Sequence, residues 1–260
     1  LPFEINLLNY KKKDNQEAIL NFEGEYKKNK FLKLKNINFT DNNNYLKITK
    51  LYLDNNFKVV DLNKLDLNFI NQNNKQNNLS LIKSKNNYTL KSDIFDGSIL
   101  LDKLLKDNDD FKFSKIFKSL NNNIFLEFKK FFLDKNEYVN NLVGKIQFEQ
   151  NNITTLLLNS NFKDNKQLNL SMNINNKGEK ITTVYSGNAK PLVKKYDFVK
   201  GFSEGSLDFY SIKKNKNSKS KLTINNFKLK KLPVLTKILT LASLQGAADL
   251  LTGEGIRFNN

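Results

Sequence analysis

The chain has no cysteine, no histidine and no tryptophan, and its only arginine is Arg257. Without cysteine it forms no disulfide, offers no thiolate nucleophile and supplies no thiolate ligands to zinc or an iron-sulfur cluster. Without histidine it lacks the usual neutral-pH general base, any Ser-His-Asp triad and the commonest metal ligand. An enzyme built from these 260 residues would have to run on carboxylates, lysine, tyrosine or serine. Apolar residues are also sparse, at 39% against roughly 45–50% in a globular domain. Even so, 21 Phe and 9 Tyr, with abundant Leu and Ile, exclude a disordered chain.

Lysine and asparagine take up the difference. There are 43 Lys+Arg against 26 Asp+Glu, a net charge of +17, and about one residue in six is Asn. An AT-rich coding sequence produces the same bias, so the composition overstates what the charge means. The length fits one large β domain or two small ones. The sequence opens on Leu1-Pro2-Phe3 and is expected to be a piece of a longer protein, with any export signal upstream.

Period-two alternation dominates. It is clearest in Leu20, Phe22, Gly24, Tyr26; in Ile124, Leu126, Phe128; in Leu142, Gly144, Ile146, Phe148; in Leu156, Leu158, Ser160, Phe162; and in Leu168, Leu170, Met172, Ile174. Each run puts apolar side chains on one face of a strand and Lys, Asn, Asp or Thr on the other. The breaks Asn151-Asn152, Asp164-Asn165 and Asn175-Asn176-Lys177-Gly178 are short and built from residues that tolerate the left-handed conformation of tight turns. Successive strands therefore pair antiparallel as a meander. Asn225-Asn226 interrupts the last strand pattern as a bulge.

Helical spacing is confined to four places. Leu100, Leu101, Leu104 and Leu105 make a turn or two, and Phe113, Ile116, Phe117 and Leu120 follow at i, i+3, i+4, i+7. Leu192, Val193, Tyr196 and Val199 form a short amphipathic helix with Pro191 in its first turn. The stretch Leu232 to Leu251 starts with Pro233 and ends before Gly253, which suits a helix of about 18 residues and roughly 27 Å. Lys237 and Asp249 inside it would each cost about 2.5–3.5 kcal/mol at the centre of a membrane span, so it reads as a helix packed on the sheet or lying at an interface.

Isolated motifs fail on inspection. Asp107, Asp109 and Asp110 imitate a calcium loop, but Lys112 stands where glycine is needed and Lys118 where the bidentate glutamate belongs. Gly253-Glu254-Gly255 lacks the flanking pattern of a phosphate loop, and its Glu would repel an anion. The lysines spread over the polar side of nearly every strand, and base-edge readout favours the arginine fork, so a nucleic-acid partner is not expected. No cofactor is expected either.

A meander with one apolar face must cover that face with a second sheet, helices, closure on itself or a ligand. Four helical segments cannot roof more than a dozen strands. The tail narrows the choice by resemblance. Asn225-Asn226-Phe227-Lys228-Leu229, then Leu232-Pro233-Val234-Leu235, Ile238 through Gly246, and Asp249-Leu250-Leu251-Thr252-Gly253-Glu254-Gly255-Ile256-Arg257-Phe258 resemble the C-terminal region of the AsmA-like family, the AsmA/TamB/YhdP superfamily. Pro191-Leu192-Val193 through Tyr196 to Gly201, then Gly205-Ser206-Leu207, resemble the helix and glycine turn that precede it. One of the paired glycines expected there is Glu204 in this chain.

The resemblance implies a motif carried by Leu192, Tyr196, Gly201, Gly205, Pro233, Leu239, Gly246, Leu251, Gly253, Glu254, Gly255 and Phe258. It further implies a long β-sheet folded like a taco in the bacterial periplasm, tethered to the inner membrane by an anchor outside this segment. Such proteins are implicated in phospholipid transfer towards the outer membrane and in its homeostasis, with envelope proteins as partners. Each acyl CH₂ left in water costs about 0.8 kcal/mol, so a lipid in transit needs a continuous apolar track. The expected architecture is mainly β: an elongated antiparallel meander over residues 1–189, curled into an open groove, and a helical module over 190–260. Ile146, Phe148, Leu156, Leu158, Leu168, Leu170, Met172 and Ile174 are expected to line the groove; in a sandwich the same eight would be core.

Overall fold

The computed structural model describes residues 3–13, 15–105, 116–195, 201–215, 217–229 and 256–258. In it the alternating segments are strands and the asparagine-rich breaks are turns. The chain divides into two compact units, residues 1–160 and 161–260. In the first, β1 (Glu4–Ile5) and β2 (Tyr10–Lys11) flank a 3-10 turn at Asn6–Leu8. The main sheet follows in chain order: β3 (Ile19–Lys27), β4 (Phe31–Asp41), β5 (Asn44–Asp54), β6 (Val59–Ile70), β7 (Gln76–Ser84), β8 (Asn87–Asp96), β9 (Asn123–Phe132), β10 (Tyr138–Glu149) and β11 (Asn152–Asn161). The second unit holds β12 (Gln167–Ile174), β13 (Lys180–Ser186), β14 (Phe202–Lys214), β15 (Asn217–Leu229) and β16 (Ile256–Phe258), again in order. The fold is thus mainly β, a meander of mostly antiparallel strands with two short α-helices among the described residues, α1 (Ser98–Leu105) and α2 (Lys190–Lys195).

Asparagine does the turning. Asn29, Asn42, Asn74, Asn151 and Asn165 all have φ between 53° and 66°, the left-handed region where its short amide costs least. One turn recurs: a carboxylate or amide oxygen at the strand end accepts the N–H groups two and four residues on. Asp54 does this for Asn56 and Lys58, Asn71 for Asn73 and Lys75, and Asn175 for Lys177 and Glu179.

The antiparallel expectation fails at one place: β8 and β9 pair parallel. The chain must therefore return along the sheet between them, through α1 and residues 116–122. Gly97 starts this crossover under the Phe131 ring, where an added Cβ would lie 2.0 Å from Cζ. Asp96, buried beside it, accepts hydrogen bonds from the Ser98 hydroxyl at 2.6 Å and the Asn71 amide at 2.9 Å. Burial alone would push the Asp96 carboxyl up; the Ser98 and Asn71 donors, helped by Lys75, outweigh it and hold the group below the ordinary carboxylate range.

The helix expected through Phe113, Ile116, Phe117 and Leu120 needs correction at its end. Ile116 is helical, but Phe117 bridges to Val59 and Leu120 lies outside any helix. The sheet's own turns take over the backbone there: the Lys118 N–H donates to the Val59 carbonyl at 3.0 Å, and the Leu120 N–H donates to Asn151 Oδ1 at 2.8 Å. Phe113, Val199, the acidic run Asp107 to Asp110 and the stretch Leu232 to Leu251 lie outside the described residues. Among the described residues no helix is long and apolar enough to cross a membrane.

Two creases depart from plain alternation. Leu34 and Ile37, Ile48 and Leu51, and Leu62 and Leu65 are three residues apart, and the pairings of β4, β5 and β6 skip Lys35, Lys50 and Asn63 between them. Lys35 is an extra residue opposite the Glu23–Gly24 step of β3, a bulge on that side, whereas β4, β5 and β6 keep register across Lys35, Lys50 and Asn63, so these three residues make one aligned break in the alternation. In the second unit, Glu204 (φ 62°), Gly205 (φ 80°) and Asn226 (φ 53°) make a paired kink between β14 and β15, as the Asn225-Asn226 break predicts. A Cβ on Gly205 would meet Asn225 O and Phe227 Cβ, both at 2.9 Å. Gly205→Ala is therefore expected to cost about 1–3 kcal/mol. Glu204→Gly should instead gain up to about 1 kcal/mol, less what its pairing with the largely buried Lys228 contributes. Denaturant titration of both variants checks the pair of opposite signs.

Candidate functional site

The first unit carries one apolar ladder across eight neighbouring strands. Phe22 faces Ile37, Ile37 faces Ile48, Ile48 faces Leu65, Leu65 faces Leu81, and Leu81 faces Leu90. Leu90 then faces Leu126, and Leu126 faces Gly144. Leu158 of β11 fills the gap over Gly144, since a Cβ there would lie 2.5 Å from Leu158 Cδ2. At about 4.8 Å per strand the row from β3 to β10 runs some 34 Å along the sheet. A second row, Leu20, Phe39, Leu46, Leu67 and Leu79, lies beside it. The opposite face carries ion pairs, among them Lys35–Glu23, Lys64–Asp66, Lys91–Glu127 and Lys129–Asp93.

Both ends of this apolar face are roofed. At one, the Tyr10 ring stands 4.2 Å from Phe69 and the Phe3 ring 4.3 Å from Phe39, with Leu8 buried alongside. At the other, Leu120 and Phe117 from the crossover close over Tyr88 and Phe148. Among the described residues no second sheet faces the ladder, and each strand packs chiefly on its neighbours. Ile37, Ile48, Leu65 and Leu90 are half-buried, and Phe22 on the edge strand is 68% exposed. What a half-wet apolar sheet face can do chemically is take up apolar matter.

The expected lining residues divide. Ile146 faces Ile124 in the roofed end, and Phe148, only 2% exposed, is part of that small core. Leu156 and Leu158 are half-buried on the ladder's side of β11. In the second unit, Leu170, Val184, Phe209 and Leu222 form an apolar row, and Leu168, Ser186, Leu207 and Ile224 a second. The pattern then decays: Met172 faces Thr182, and Ile174 faces Lys180, which faces Lys213. Ile174 is therefore at a charged margin, 44% exposed. Of the residues missed in the sequence, Ile37, Ile48 and Leu65 are concealed by the break at Lys35, Lys50 and Asn63, although the Leu and Ile on either side of the three-residue step are legible; Leu81 and Leu90 lie in strands paired without a register shift.

Of the motif residues, Leu192 packs beside the core of Ala189, Val193 and Leu207, so α2 lies on the apolar side of β14. Gly201 takes φ 75° and Gly205 the kink, whose carbonyl accepts the Ala189 N–H at 2.8 Å. Phe258 is in β16, opposite Phe227. Tyr196, Pro233, Leu239, Gly246, Leu251, Gly253, Glu254 and Gly255 lie outside the described residues. Compared with family models, curated proteins and solved structures, the chain matches none.

Proposed function

We propose that this protein is a non-enzymatic lipid conduit, whose apolar sheet face accepts phospholipid acyl chains and lowers the barrier to their passage between the inner and outer membranes. The observation that carries the reading is the ladder from Phe22 to Leu126, apolar on every strand and without a facing sheet among the described residues. Uniform apolarity along some 29 Å leaves no step at which a chain must re-enter water. The tail's resemblance to the AsmA-like family supports a periplasmic setting, an inner-membrane tether and a role in outer-membrane homeostasis. No cofactor enters the scheme, because no bond is made or broken.

Phe22→Asp combined with Leu65→Asp tests it. Native mass spectrometry of the purified protein is expected to show bound phospholipid in the parent chain and at least about tenfold less in the variant, since burying a carboxylate against an acyl chain costs several kcal/mol. β-type circular dichroism should persist. A parent chain that carries no lipid, or a variant that carries as much, overturns the conduit.

A second reading, a structural or assembly factor that binds β proteins by strand addition, is favoured by β3. Among the described residues this strand bonds only to β4, and all nine of its residues are exposed. The alternating segment Leu222 to Leu229 is a less open edge, because Phe227 to Leu229 pair with β16. A photocrosslinker at Leu20, on the apolar face of this edge strand, would trap a polypeptide under this reading and lipid under the first.

A further inference from the structure

The excess charge is not evenly shared. Residues 1–160 hold 25 basic and 19 acidic side chains, whereas residues 161–260 hold 18 and 7. In the second unit it gathers at one end. The β12–β13 turn and the β14–β15 hairpin point the same way, because Lys180 pairs with Lys213 across β13 and β14. That end carries Lys177, Lys180, Lys213, Lys214, Lys219 and Lys221, all exposed, against one carboxylate, Glu179, which the Asn175 amide holds at 2.9 Å. Among the described residues no ion pair joins these six, unlike the paired lysines of the first sheet.

We infer that these two hairpin ends form a basic docking surface for an anionic lipid bilayer. Lys180 and Lys213 project from the face that carries Leu170 and Phe209, and Lys214, Lys219 and Lys221 from the opposite face, so the charge is presented end-on. An end-on cluster fits a plane of headgroups better than a strand of nucleic acid, which would follow one face. Ile174 and Leu222, each 44% exposed, flank the lysines and can enter the interface beside them. Lysine also suits headgroup attraction, which needs point charge and no fork. Each is worth about a fivefold gain in partition at an anionic surface and is screened beyond about 8 Å at physiological salt. The inference stands whether or not the apolar face carries acyl chains.

Sedimentation with vesicles of phosphatidylcholine, alone or mixed with phosphatidylglycerol, decides it with the full chain. The parent is expected to bind the mixed vesicles and not the neutral ones. Lys213→Gln with Lys214→Gln and Lys219→Gln should weaken binding on the order of 100-fold, and the corresponding arginine triple should retain it. Lys27→Gln with Lys28→Gln and Lys30→Gln removes the same charge from an exposed part of the first unit and should change binding less than about threefold. Equal losses in the two glutamine triples, no binding to the mixed vesicles, or a tip triple that loses an oligonucleotide but keeps the vesicles would each overturn the surface.

Discussion

Phe148→Ala is expected to remove about 3–5 kcal/mol of stability, while Phe22→Ala, one strand pattern away in kind but on the open edge, should change it by about 0.5 kcal/mol or less. The two phenylalanines belong to the same apolar face. Phe148 is enclosed by Tyr88 and Leu120, with Ile124, Ile146 and Ile153 around them. Its truncation leaves a cavity that the flanking strands, fixed by their ladder bonds, cannot close. It also frees the Leu120 segment, whose Asn151 and Val59 bonds then hold it without an apolar anchor. Urea titration gives both values. Similar losses in the two variants would mean that Phe22 is as sealed as Phe148, and the open-face description would fail.

At the other end, Phe69→Ala should cost a comparable 3–5 kcal/mol and open the β1–β2 hairpin to exchange. Phe69 is fully buried between the Tyr10 ring and the Phe39 ring, the latter at 6.3 Å. Tyr10 is fastened twice, since its hydroxyl donates to buried Asp41 at 2.5 Å. Burial, and then Asp41, push the Tyr10 phenol well above its ordinary value, so it remains a donor throughout the physiological range. Hydrogen exchange followed by mass spectrometry is expected to show residues 3–11 losing protection before the main sheet. Protection lost uniformly over β4 to β7 would mean that the hairpin is integral to the sheet and not a roof laid on it.

Much of this was legible in the sequence, because alternation and turn chemistry are local. The strands from Ile124 to Ile174, the asparagine turns, the kink at Asn225-Asn226 and the short helix at Pro191 all follow from neighbours in the chain. What escaped is set by contacts between distant residues. Nothing near Gly97 says that the chain will return along the sheet and pair β8 with β9 in parallel. The placing of Leu120 over Phe148 depends on that return, so a groove residue and a core residue look identical when read as alternating letters. The break at Lys35, Lys50 and Asn63 escapes for another reason: each of these residues displaces an alternating pattern by one, and only their alignment across strands shows that the apolar face continues. Ile174 sits in a strand that alternates faultlessly, while its cross-strand partner Lys180 and the diagonal Thr182 are polar, which the strand read alone does not reveal.

The parallel pair also governs how the chain can assemble in time. Hairpins such as β4–β5 or β14–β15 close loops of a few residues, whereas joining Asn87 to Asn123 means fixing residues 97–122 first. Chain-entropy scaling makes that closure about 1.7 kcal/mol dearer than a four-residue turn. The segments before and after it can therefore nucleate independently, each from its own nearest-neighbour ladder, and closing the seam where β9 meets β8 is expected to be a late, slow step.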